Sequence, residues 1–153
     1  MLAEPESFSQ ARLDSLFAGL EELAVRSSSD HVGRTAVINL ASAADRNAGR
    51  PQAGIVERLE RIHQSAATRA ARSAALNRLP FQVDAAAALR AVERAAAAGS
   101  RNQNYPAAAR DAVALLRDFG PAGESALRRL QQSSRVKDCE AREELARQLR
   151  DLP

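Results

Sequence analysis

The chain has 153 residues, 45% apolar and 27% charged, with a net charge of +3. A single domain of this size buries roughly 68–70% of the surface its unfolded chain exposes, so its core needs no staples. No run approaches the 18 or so apolar residues of a membrane span, the lone Cys139 cannot form an internal disulfide, and no CxxC or Cys/His cluster has zinc-ligand spacing, all of which fits a reducing cytoplasm.

The opening MLAEPESFSQ is acidic where a secretory leader is basic, which argues against export by that route. Ser7 followed by Gln10 reads as a capping box. Leu13, Leu16, Phe17, Leu20, Leu23 and Ala24 then recur at helical spacing, predicting a first helix of about five turns with one apolar stripe. Asp30 is the expected cap of a second helix through Val32, Val37, Leu40, Ala41 and Ala44, which ends at Asn47, Gly49, Arg50 and Pro51. The third helix, over 52–64, places Ile55, Val56, Leu59 and Ile62 on one side and Glu57, Arg58, Glu60 and Arg61 on the other. The fourth spans 68–79 and stops at Pro80; the fifth follows Asp84 as cap, contains two four-alanine blocks that let a neighbour approach closely, and ends at Gly99. SRNQNYP, residues 100–106, is the longest polar connection. Helices over 107–119, from Pro121 to about Gln132, and over 138–150 complete a predicted set of eight, with Leu145 and Leu149 of the last turned inward.

Four times an arginine opens an apolar helix pattern, at Arg34, Arg72, Arg110 and Arg142, spaced by 38, 38 and 32 residues. A second pattern precedes the last three, in IVERL, ALRAV and SALRRL, and its Ala88 and Ala126 are again 38 apart. Two patterns repeating in step are the signature of stacked helical hairpins. The stretches ATRAARSAALNRL and FGPAGESALRRL resemble the arginine-led second helix and the Gly-Pro junction of the HEAT-like repeat family, including the short repeats of the phycobilisome-lyase type. At the turn position before the arginine, where that family often places an aspartate, stand Asp30, Thr68, Tyr105 and Asp138. The resemblance implies an all-α fold, a right-handed α-solenoid of about four hairpins in one domain over 1–153, with units 8–48, 52–79, 83–119 and 121–150. It further implies a concave face lined by the second helices, used in relatives to hold proteins and in some branches DNA. Nothing in the chain resembles a bilin site.

The leading expectation is a noncatalytic scaffold that binds a protein partner, without cofactor or metal. Its candidate contacts are the second-helix residues Asn39, Arg46, Asn77, Arg78 and Arg117, with Asn104 and Tyr105 in the polar loop. The alternative is a module that binds a nucleic-acid backbone. Residues 34–79 hold eight basic and three acidic groups, and Arg58, Arg61, Arg69 and Arg72 are the candidate phosphate contacts; interleaved Glu57 and Glu60 and the lack of aromatic residues there weigh against it. Alanine (34 residues) and arginine (21, against one lysine) are both in excess, as a GC-rich genome would also produce, so arginine content alone carries no weight. The four repeated arginines are expected to pack between units and bond turn groups rather than form an anion ladder. His31 and His63 are expected at solvated helix ends, and Cys139 as a small buried hydrophobe rather than an activated thiol. Adjacent Glu143 and Glu144 point in different directions on a helix, which leaves no acid/base pair. The first helix, with Asp14, Glu21 and Glu22 outward, reads as a polar cap; the last, with Leu149 and Leu152, reads as a surface for a homodimer.

Overall fold

The structure, a computed structural model, describes residues 9–47, 54–98 and 105–153. Among these residues the only regular elements are helices: α1 (Gln10–Arg26), α2 (Asp30–Arg46), α3 (Ile55–Ser65), α4 (Arg69–Arg78), α5 (Ala85–Ala97), α6 (Ala108–Leu115), α7 (Pro121–Ser133) and α8 (Cys139–Arg150). Short 3-10 turns extend α4 over Leu79–Phe81 and α6 over Leu116–Phe119. None of the helices is long and apolar enough to cross a membrane.

Five helix starts are set by a side chain that accepts from an otherwise orphan backbone N–H. Ser9 takes Arg12, Ser29 takes Val32, Thr68 takes Ala71, Asp84 takes Ala87 and Asp138 takes Ala141, at 2.9–3.3 Å. Each such cap contributes about 1 kcal/mol. Asp84 caps as predicted, and Asp138, expected as a turn residue at the start of the last helix, is a cap as well. Asp30 does not: Ser29 is the cap, and Asp30 is the first helical residue, where its charge meets the positive end of the helix dipole. Ser9 stands where Ser7 was expected, and Ser7 lies outside the described residues. So do Gln52, Gly99 and the predicted breakers Gly49, Arg50 and Pro51.

Consecutive helices pack as pairs, α1 on α2, α3 on α4, α5 on α6 and α7 on α8. The pairs then join in two rows. In one, α1 meets α3, α3 meets α5 and α5 meets α7; in the other, α2 meets α4, α4 meets α6 and α6 meets α8. A single apolar core runs through all of them, from Leu13 and Phe17 through Leu40, Leu59, Leu76, Val92 and Leu116 to Leu127 and Leu145. Small residues permit the closest approaches. Gly33 of α2 lies against α4 so tightly that a Cβ there would sit 3.1 Å from Ala71 Cβ and 3.2 Å from Thr68 Oγ1.

The predicted helix over 107–119 is interrupted by this packing. α6 tightens into a 3-10 turn after Leu115 and ends at Gly120, whose φ of 63° suits glycine. α7 then crosses directly over that turn, with Gly123 so close that a Cβ would fall 1.7 Å from the Leu116 carbonyl oxygen. The predicted stripe of α1 is only partly buried. Leu13, Phe17 and Ala24 are buried, but Leu16 and Leu23 are 42% and 47% exposed, since among the described residues α1 packs chiefly on α2 and α3. Nor is its acidic face wholly outward: Glu21 turns toward α3. At the other end Leu145 is buried and Leu149 packs against the core.

Candidate functional site

Between α2 and α4 the second-helix row forms a groove of about 300 Å³, lined by Arg34, Ile38, Ala70, Ser73, Ala74, Asn77 and Arg78. Ile38, Ala70 and Ala74 give it an apolar floor. Asn77 is held in place by donating Nδ2–H to Ser73 O at 2.9 Å. Arg34 and Arg78 flank the groove with no carboxylate in ion-pair range, unlike eight other Arg–carboxylate contacts among the described residues. Of the predicted contacts, Asn77 and Arg78 are therefore brought together. Asn39 and Arg46 are exposed on α2 outside the groove lining. Arg117 lies apart, in the turn after α6, reaching Gln148 of α8 at 3.4 Å. Asn104 is outside the described residues, and Tyr105 is buried at 2% exposure rather than presented on a loop surface.

The first-helix row carries three Glu–Arg links across helices, while its Arg12, Arg90 and Arg128 have no carboxylate partner among the described residues. Glu21 of α1 accepts from Arg58 and Arg61 of α3, each at 2.6 Å; Glu60 of α3 accepts from Arg94 of α5 at 2.7 and 2.8 Å; Glu93 of α5 accepts from Arg129 of α7. Burial alone would raise the Glu21 carboxyl, but hydrogen bonds from Arg61 and Arg58 outweigh it and hold it below the usual range. Arg58 Nε is left buried without a partner. Arg69 lies with its guanidinium 5.5 Å from the Tyr105 ring centroid, and Arg72 is 9% exposed. The four candidate phosphate contacts thus face three different internal partners instead of sharing one surface.

A second concavity, about 290 Å³, lies where the second and third pairs meet. Its lining combines Glu60, His63, Gln64 and Arg72 with Arg94, Tyr105 and the apolar Leu79, Ala91, Ala95 and Ala108. His63 is buried, correcting its expected solvated position. It follows Leu59 by four residues, so it belongs to the apolar stripe of α3. Its Nδ1–H donates to Arg72 O at 3.1 Å, and its ring meets Tyr105 edge-on at 6.0 Å. Burial lowers the affinity of the imidazole for a proton, only partly offset by the hydrogen bond to Arg72 O. Tyr105 donates its hydroxyl to Asp111; burial, then that bond, pushes its pKa up to about 12.

The repeated arginines do not share one register. Counting four residues on from each helix cap gives Gly33, Arg72, Asp111 and Arg142, so Arg34 and Arg110 are displaced about 100° around their helices in opposite senses. Arg72 alone behaves as expected, donating to Gln64 O at 2.8 Å and to Ala66 O, the carbonyls that end α3. Arg110 reaches Asp111 and Glu140, whereas Arg34 and Arg142 are exposed, although Arg142 occupies the Arg72 position. Cys139 is exposed at the first turn of α8, not buried, because position 139 faces away from α7 and the buried residue is Ala141. His31 is exposed as expected. Glu144 is engaged by Arg147, whose hydrogen bond lowers its pKa, while Glu143 stays exposed. No group of three metal-ligating side chains occurs among the described residues. No protein-family model, curated protein or solved structure matches the chain.

Proposed function

We propose that this chain is a noncatalytic HEAT-like repeat module of the cytoplasm, a right-handed α-solenoid of four hairpins that holds a protein partner against its row of second helices. The observation that carries this reading is the groove between α2 and α4. Both rows carry paired and unpaired arginines, but only between α2 and α4 do two of them, Arg34 and Arg78, flank one groove with an apolar floor and without a carboxylate partner among the described residues. Such a groove suits an acidic segment with apolar side chains, since guanidinium groups accept carboxylates in bidentate geometry and the floor takes the side chains. A contact this small gives modest affinity, of the order of micromolar.

The test is fluorescence anisotropy with a labelled amphipathic peptide of Glu and Leu, its Lys-for-Glu counterpart, and labelled duplex and single-stranded DNA, each at several salt concentrations. The expected result is binding of the acidic peptide alone, lost on changing Arg34, Asn77 and Arg78 to alanine. Binding of the basic peptide, or of the acidic one equally by the triple variant, overturns the groove assignment. Salt-sensitive DNA binding that disappears when Arg58, Arg61, Arg69 and Arg72 become alanine would install the nucleic-acid reading instead.

A further inference from the structure

Arg72 is a nearly buried cation without a counter-ion. At 9% exposure it uses Nη1 and Nε to hold the carbonyls of Gln64 and Ala66, which compensate it only as dipoles at the end of α3. The carboxylates nearest in the fold are committed elsewhere. Both oxygens of Glu60 are held by Arg94, and Asp111 receives the Tyr105 hydroxyl and the Arg110 guanidinium. Nη2 of Arg72 has no hydrogen bond among the described residues and is not sealed from solvent, and Arg72 lines the cavity. His63 lies beside it, and burial lowers the proton affinity of its ring, which disfavours a second positive charge there. The rest of the wall is largely apolar, from Leu79, Ala91, Ala95 and Ala108.

We propose that this cavity is a binding site for a small organic monocarboxylate, its carboxylate on Arg72 Nη2 and its apolar body against Leu79, Ala91, Ala95 and Ala108. The Nη2 end of the guanidinium supplies charge-assisted donors for one carboxylate. The apolar wall selects an organic acid over an inorganic anion, and about 290 Å³ accommodates a single small ring. The ligand would bridge α4 to α5 and α6, filling the space between the second and third pairs.

The probe is benzoate, titrated into the full 15N-labelled chain and followed by amide and arginine Nε chemical shifts, with benzamide and inorganic phosphate as controls. The expected result is saturable shifts centred on His63, Arg72, Ala95 and Tyr105, with benzamide and phosphate at least about tenfold weaker. Ala95→Leu, which fills the cavity and leaves every Arg72 hydrogen bond in place, should abolish them; Ala98→Leu at the rim serves the same purpose if Ala95→Leu does not fold. The proposal falls if no saturable shift appears by about 10 mM, if benzamide or phosphate matches benzoate, if the shifts lie only on exposed arginines, or if both leucine variants bind normally.

Discussion

Glu60 receives the Nε and Nη2 hydrogens of Arg94 at 2.7 and 2.8 Å, a two-pronged bond that ties α3 to α5. A two-pronged bond from Arg61 likewise ties α3 to Glu21 of α1, and a single bond from Arg129 ties α7 to Glu93 of α5, always with the acid on the earlier helix. The rungs differ in burial, and burial decides what each contributes. Arg94 is more than half exposed, so the Glu60–Arg94 coupling in a double-mutant cycle should be only about 0.3–1 kcal/mol. Glu21 and Arg58 are both mostly buried, and Arg58 already has an orphan Nε–H. Removing Glu21 strands the Arg58 guanidinium, whereas half-exposed Arg61 can turn to water, so Glu21→Ala should cost about 1–3 kcal/mol in urea unfolding. Equal losses at Glu21 and Glu60 would refute this ranking.

Two glycines inside helices should respond in opposite directions to alanine. Gly19 of α1 has nothing within 4 Å of its notional Cβ, so Gly19→Ala should stabilise by up to about 1 kcal/mol through helix propensity. Gly123→Ala would drive a methyl group into the Leu116 carbonyl, and separating α7 from the turn after α6 should cost about 3 kcal/mol or more. Denaturant midpoints of the two variants decide it; a mild Gly123→Ala would mean that α7 crosses elsewhere.

Helix number, helix type and the Asp84 cap were legible in the sequence because they depend on signals within four residues. The Glu–Arg rungs were not, since their partners lie 34 to 40 residues apart and 21 arginines offer too many candidates. That separation is close to the 38-residue repeat, so aligning the acids Glu21, Glu60 and Glu93 with the arginines one period later was the available signal. The burial of His63 was readable from its place four residues after Leu59. The difference between Arg72 and Arg34 was not: a shift of one residue relative to the helix cap separates them, and that cap was misplaced from Ser29 to Asp30.

Cys139 should react as a surface thiol. It lies exposed at the start of α8, so one equivalent of Ellman's reagent should titrate in the native chain without denaturant. Cys139→Ser should change stability by less than about 0.5 kcal/mol, the range of an exposed position without special contacts. A thiol that reacts only after urea is added would place Cys139 in the core.

His63 predicts an acid sensitivity that starts well above the carboxylate range. Its folded-state proton affinity lies below the ordinary imidazole value of 6.5, chiefly through burial, so the unfolded chain binds the proton more readily. The stability contributed by the neutral ring is fully present above pH 6.5 and is lost as pH falls below it toward the folded value, with a slope of at most about 1.4 kcal/mol per pH unit for one proton. The neighbours act on this in known directions: Arg72 repels the imidazolium, and Glu60 attracts it but is held by Arg94. Glu21 adds a loss of the same sign, but only as pH falls through and below the carboxyl value of 4.5. His63→Asn separates the two, because the amide can replace Nδ1–H as donor to Arg72 O without titrating. Urea midpoints from pH 7.5 to 5 should fall in the parent chain and stay level in His63→Asn, while both should fall together below pH 4.5; parallel curves throughout would assign the upper step to a group other than His63.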